Sequence, residues 1–441
     1  MGGGAANCGV LAKCRKSIQL PRSILAEPLI LPMQYSQQHL WPLFWFLSLL
    51  AACGGGVNSD QPDPANTSGG AIADARRDNN YARFGDGAPA EKLRWTLLRG
   101  VRGGLLTPPL YLNRFRYALL TDAGALAIVE GDTALYQFHF PNGERAYPAV
   151  AADSAGMLYS ITTRGQLYAV GPDGVGRWSK DLRPADTNAI VGYGQPLGMA
   201  DGVIVGTTAG TLTRYSNDGR QRWSIQLGAG VAPQICHANG ALVVAISHND
   251  YAISDTVLLL DPATGARRSA TPLVGFRVIA GPAVIGPAAL VGVARRASDG
   301  TREPFLIAVA DGTVGWQQPL PLMPRGISGD QLGNSYITGT GTSAEFTGGM
   351  LVSFDGGGNR RWEKFFESEL TAAAAVSGNY LYVVSRREGR TGLFTYDHSG
   401  QFAAFVPVAN LADVSSRITI SPVAQPLLVA VDTCVVLRGT D

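Results

Sequence analysis

Tryptophan recurs through this chain in one phase, and that recurrence limits the available folds more than any other feature. Trp95, Trp178, Trp223, Trp316 and Trp362 share the phase, and Tyr136, Ser269 and Phe405 fill its remaining positions, with successive anchors 41 to 47 residues apart. A period of that length signals stacked supersecondary units, each too small to bury its own apolar face.

Within each unit the apolar residues come in short runs rather than at helical spacing. Second runs include Tyr117–Leu120, Met157–Ser160, Leu242–Val244 and Tyr380–Val383; third runs include Gln166–Val170, Thr211–Tyr215, Phe305–Val309 and Leu393–Tyr396. They are β-branched and aromatic, bounded by Gly and Asp, as short strands are. Gly174, Gly219, Gly312 and Gly358 each precede an anchor by four residues, where a tight hairpin needs positive φ. That places the indoles on fourth, outer strands, wedged between neighbouring units. Pro148, Pro196, Pro233 and Pro282 mark the first runs. Proline cannot donate a ladder bond, so these runs belong at a sheet edge.

Four strands per unit with a proline-bearing inner edge predict an all-β chain, a β-propeller of eight four-stranded blades. Seven is the alternative, if the unit around Ser269 fails to form. After residue 407 there is room for only three strands: Ile418–Val423, Leu427–Val431 and Thr433–Leu437. Lys92–Leu98, with Trp95, supplies the fourth, so the N- and C-terminal segments pair and close the ring.

The front of the chain reads as an export signal. Leu50-Ala51-Ala52-Cys53 closes an apolar run from Trp41, too short to span a bilayer and anchor a domain. We read residues 1–52 as a lipoprotein signal region, with Met33 as the true start and Cys53 as the lipid-attached terminus of the mature chain. Gly54 follows the cysteine, and by resemblance to proteobacterial lipoproteins this implies the periplasmic face of the outer membrane. Residues 53–90 form the lipidated cysteine and a disordered tether, rich in Gly, Pro, Asn, Asp and Ala; the propeller occupies 91–441.

Removing residues 1–52 takes away four of the 36 basic residues (Lys13, Arg15, Lys16, Arg22) and one of the 34 acidic ones (Glu27), leaving a net charge near −1. That excludes a polyanion reader: no nucleic-acid partner is expected. Cys236 and Cys434 lie far apart in sequence and are expected to be free thiols.

The stretch from Pro148 to Leu182, with Gly156-Met-Leu-Tyr, Gly165-Gln-Leu-Tyr-Ala-Val and Gly174-Val-Gly-Arg-Trp178, resembles a PQQ-like (pyrrolo-quinoline quinone type) propeller repeat, and residues 194–228 resemble it nearly as well. Asp330–Phe366 is similar to another bacterial propeller repeat class. The layout, a lipobox followed by an eight-bladed propeller, resembles the barrel-assembly lipoprotein (BamB) family. The resemblance implies an exported monomeric protein that binds another envelope protein and acts as a scaffold, rather than an enzyme.

The alternative chemistry is a PQQ-dependent dehydrogenase, which requires a quinone, a calcium or lanthanide site and often a vicinal disulfide. This chain has no adjacent cysteine pair and no long insertions, so no cofactor is expected. His139, His237, His248 and His398 fall in different units without metal-ligand spacing. A second alternative is small-molecule or glycan binding in the central channel.

Strand order puts second-to-third turns and inter-unit links on one face. There Ser247–Asp255, Ala294–Pro304, Thr340–Gly349 and Ser385–Thr391 exceed the structural minimum, as do the links Arg183–Gln195 and Ala409–Ser416. Such loops tend to carry function. They gather Tyr251, Phe346, Arg295, Arg296, Arg302, Arg386, Arg387 and Arg390 with Asp250, Asp299, Glu303 and Glu345. Arginine and aromatic residues are enriched in protein-binding hot spots, so these are the candidate partner-binding residues.

Overall fold

The computed structural model describes residues 87–107, 109–113, 115–183, 193–228, 234–238, 240–248, 253–342, 348–408, 414–420, 426–430 and 435–440. The signal region, Cys53, the tether up to residue 86, and Tyr251, Phe346 and Cys434 lie outside the described residues.

Strands Lys92–Leu97 through Val435–Thr440 form eight antiparallel sheets of four. Among the described residues the helical content is one 3-10 turn, Pro141–Gly143. Sheets 1 to 7 span residues 110–139, 146–181, 197–226, 234–273, 276–319, 322–366 and 375–407, each with its strands paired in chain order. The eighth sheet has the order Lys92–Leu97, Val435–Thr440, Pro426–Ala430, Val414–Ile420. Its N-terminal strand pairs from Lys92 opposite Thr440 to Leu97 opposite Val435, with Trp95 opposite Leu437. The strand expected at Thr433–Leu437 is described as Val435–Thr440, in register with Lys92–Leu97.

First strands of successive sheets contact one another through most of the series. Each pair of neighbours from sheets 1–2 to sheets 6–7 shares an apolar cluster. Second and third strands are therefore covered on both faces. Gly349–Phe354 is buried along its whole length, whereas the outer strand Arg360–Phe366 is largely exposed or half-buried. Each fully buried Leu, Val or Phe side chain contributes about 1.5–3 kcal/mol. The prolines of the first strands sit at register shifts: Pro148 lies within the Ala146/Val150 irregularity, Pro282 within Ala280/Ala283, and Pro324 adjoins Pro324/Gly326.

The anchor residues repeat one geometry. In sheets 1 to 6 the register shift between third and fourth strands falls immediately before the anchor, at Tyr136, Trp178, Trp223, Ser269, Trp316 and Trp362. The Trp178 indole N–H donates to the Asn217 carbonyl (2.7 Å), Trp223 to Pro262 (3.0 Å), Trp316 to Gly356 (3.1 Å) and Trp362 to His398 (3.1 Å), each in the following sheet. A turn glycine of that following sheet lies under each ring: a Cβ on Gly358, whose φ is +84°, would sit 2.7 Å from the Trp316 indole. The glycines therefore answer the anchor of the preceding unit as well as shaping their own turn.

The unit around Ser269, whose failure would have left seven, forms a four-stranded sheet; there Gly312 packs against Ser269 and the Thr271 hydroxyl donates to the Gly312 carbonyl at 2.6 Å. One expectation changes: in sheet 7 the residue at the register shift is Ala404, not Phe405; Phe405 turns onto Phe394, ring centroids 4.6 Å apart.

Candidate interaction surface

Sequential antiparallel strands put first-to-second and third-to-fourth turns at one end of every sheet, and second-to-third turns at the other. The first end is locked by side chains. Tyr159 donates its hydroxyl to Asp153 (2.9 Å), and Asp153 also accepts the N–H groups of Ala155 and Met157. Tyr336 does the same to Asp330 (2.7 Å), which further accepts the Asn334 side-chain amide (2.7 Å) and lies 3.3 Å from His398 Nδ1. Burial raises the Asp153 carboxyl above the usual range. At Asp330 burial pushes the same way, but the His398, Asn334 and Tyr336 hydrogen bonds outweigh it and hold the carboxyl at about 2. His398 Nε2 lies 3.1 Å from the Ser377 carbonyl, so this histidine joins sheets 6 and 7.

The opposite end carries the candidate residues, and there the structure corrects the sequence. Ala294–Pro304 is not an extended loop. Strands Ala288–Arg296 and Arg302–Ala310 stay paired to Arg296 opposite Arg302, and only residues 297–301 turn. Ser385–Thr391 is likewise strand, with Arg387 opposite Arg390 across the two-residue turn Glu388-Gly389. Both turn residues have positive φ, 53° and 73°, which matches the right-handed twist of the flanking strands. The hydrophobic-to-polar change at 295 and 386 looked like a loop boundary, yet the ladder simply continues into solvent.

The six arginines form two triads, one per hairpin, separated by sheet 6. Arg295 pairs with Glu303 at 2.6 Å and lies over the Phe305 ring at 5.1 Å. Arg387 lies over Phe402 and Phe405 at 5.5 and 5.9 Å. The Glu367 carboxylate accepts the N–H groups of Glu388 (2.6 Å) and Gly389 (3.1 Å), which hold it below the usual carboxylate range and pin the hairpin turn to the end of sheet 6. Among the described residues the side chains of Arg296, Arg386 and Arg390 make no ion pair or hydrogen bond. Asp299 caps its own turn through Thr301.

One group at this end escaped sequence reasoning. Asp255, fully buried, pairs with Arg277 at 2.5 Å and accepts the Ser247 hydroxyl and the N–H groups of His248 and Val278. It fastens the 247–255 connection of sheet 4 to the first strand of sheet 5. A separation of 22 residues in sequence gives no hint of this contact.

Asp153, Asp255 and Asp330 are thus held by local donors, whereas Oε2 of the buried Glu144 has no hydrogen-bond partner among the described residues. Among the described residues no group of three or more His, Cys, Asp or Glu is arranged to hold a metal ion. Cys236 is fully buried in sheet 4.

Residues 130–285 match the sequence model of the family described as outer membrane protein assembly factor BamB. No curated protein matches the chain. Among solved structures, BamB from Moraxella catarrhalis is similar with a TM-score of 0.53 at 15% identity, over 79% of this chain and 96% of that one. The quinohemoprotein alcohol dehydrogenase of Comamonas testosteroni is similar with a TM-score of 0.60 at 13% identity, over 88% of this chain and 80% of that one. A europium-containing methanol dehydrogenase has a TM-score of 0.50 at 12% identity, over 81% and 89%. At these identities the structural likeness establishes the fold and leaves the activity open. Residues 130–285 are thus similar to a PQQ-like β-propeller repeat family, and the same four-stranded pattern continues through the sheets on either side.

Proposed function

We propose that this chain is an exported lipoprotein, tethered through Cys53 to the periplasmic face of the outer membrane, whose eight sheets form one closed propeller that serves as a protein-binding scaffold in envelope assembly. The observation that carries the scaffold reading is the family match over residues 130–285, set beside the carboxylates of Asp153, Asp255 and Asp330, which serve structural hydrogen bonds. Closure is supported by the pairing of Lys92–Leu97 with Val435–Thr440. Beyond that strand the chain crosses onto sheet 1: Arg99 bridges Thr133, and Leu98, Val101 and Leu105 pack with Tyr117 and Leu119. The working surface is the hairpin end of sheets 5 and 7, which carries Arg295, Arg296, Arg302, Arg386, Arg387 and Arg390.

The anchor and the scaffold are tested separately. Cys53→Ser should move the protein from the membrane fraction to the soluble fraction, or leave an unprocessed precursor; an unmodified mature terminus elsewhere in a mass spectrum contradicts the anchor. Trimming the hairpins at 294–304 and 385–391 by one cross-strand pair each should remove a specific partner from an affinity pull-down. A folded trimmed variant that keeps every partner moves the working surface to the channel or the opposite face.

A further inference from the structure

The geometry points to Glu144, at the seam between sheets 1 and 2, as the anionic centre of a binding site for an alkylammonium group, carried by a free amine or by a lysine of a partner polypeptide. The site lies apart from the arginine hairpins and does not rest on the scaffold reading.

The first observation is an unanswered carboxylate. Glu144 is only 7% exposed, and its Oε2 has no hydrogen-bond partner among the described residues. A buried polar group left unpaired costs stability. Elsewhere this chain avoids that cost: Asp153, Asp255 and Asp330 each accept a hydroxyl and at least one backbone N–H. The charge of Arg183 reaches Glu144, but its guanidinium is paired with Asp181 at 2.5 Å. Arg145, the next residue, is exposed.

The second observation is an aromatic wall. Phe138, in the outer strand of sheet 1, meets Phe140 edge-on with ring centroids 5.5 Å apart, and Tyr168 of sheet 2 lies 5.7 and 5.4 Å from them. Phe140 and Glu144 close on the same turn: the Phe140 N–H donates to the Gly124 carbonyl at 3.1 Å, and a Cβ on Gly124 would sit 2.7 Å from the Glu144 carbonyl oxygen. Burial raises the Tyr168 hydroxyl above its ordinary value, and the neighbouring Glu144 charge adds to that shift. Ring faces beside a carboxylate attract an organic cation and cover its methylenes. A metal ion needs several oxygen ligands instead, and among the described residues no group of three or more His, Cys, Asp or Glu stands together.

The third is access. Pro141, Asn142 and Gly143, the turn directly before Glu144, are exposed and include no buried residue. Asn142 and Gly143 take left-handed backbone, φ 57° and 64°, and a Cβ on Gly143 would meet nothing within 4 Å. The carboxylate therefore lies one turn below solvent, and that turn can shift to admit a ligand without exposing the core.

The test uses the full mature chain and two probes, n-butylammonium chloride and acetyl-lysine amide, titrated calorimetrically at constant ionic strength. Both should bind saturably and compete. Glu144→Gln should weaken binding by about tenfold or more, as loss of a charge-assisted hydrogen bond does. Tyr168→Leu should weaken it by roughly threefold, the size of one exposed cation–π contact. The probes should raise the melting temperature of the parent but not that of Glu144→Gln. With no donor to lose, Glu144→Gln should itself melt no lower than the parent; if it fails to fold, Tyr168→Leu carries the comparison. Acetyl-lysine amide binding clearly tighter than n-butylammonium assigns the site to a partner lysine, and equal affinity to a free amine. No saturable binding by the parent, unchanged affinity in both variants, or the same response to sodium chloride alone would each overturn the inference.

Discussion

The two ends of the sheets obey different physics. At the end of the first-to-second turns, buried polar groups tie the sheets together: Asp153 and Asp330 hold tyrosine hydroxyls, and the indole N–H groups of Trp178, Trp223, Trp316 and Trp362 find carbonyls in the next sheet. At the hairpin end the ladders run on past the core and carry opposed arginines into solvent. The contrast teaches that one end of this molecule holds the series together, and the other spends strand length on something the fold does not need. Substitutions should separate the two ends cleanly.

The largest loss is expected at the buried joints. Trp223→Ala should cost about 3–5 kcal/mol, the range for truncating a buried Trp, read as a fall in unfolding free energy by denaturant titration. Asp255→Ala should be of similar size, since it removes the buried carboxylate that pairs with the half-buried Arg277 and accepts the Ser247 hydroxyl and the Val278 N–H. A small change at either position would mean that the joint is not where the stability lies.

Next comes a comparison within the locked end. The Asp330 carboxyl is lowered to about 2, so its stabilising contribution is present above the unfolded value near 4 and is lost as pH falls from there towards 2. The Asp153 carboxyl is raised, so its ionised form costs stability, and that cost appears as pH rises through the unfolded value. Asp330→Asn should therefore flatten the acid limb of the stability profile, and Asp153→Asn should not. Equal effects of the two variants would show that His398 and Asn334 do not distinguish the sites.

The smallest effect on stability belongs to the tips. Arg390→Glu should change unfolding free energy by less than about 0.5 kcal/mol, as exposed substitutions do. A loss comparable to that at Trp223 would place the arginines among the structural groups.

How far the sequence reveals this molecule follows the same division. The tryptophan phase and the Gly-to-anchor spacing locate six of the junctions, because a periodic fold repeats its packing at each unit. Ser269 shows why the phase survives without its indole: the register shift and Gly312 are still present. Phe405 misleads because two aromatics flank the true phase position, Ala404. At the tips the residue types were legible, but not their conformation, since charged residues at a strand end look the same in sequence as charged residues in a loop. The Asp255–Arg277 pair was invisible, as any contact between sheets without periodic support would be.

The most direct measurement compares the two ends as binding surfaces. A photocrosslinking residue placed at position 386 or 302 at the tips, and at exposed position 332 at the other end, can be activated in intact cells and its adducts compared. The scaffold account predicts one discrete protein adduct from 386 and 302 and none from 332. A discrete adduct from 332 with none from the tips would contradict it.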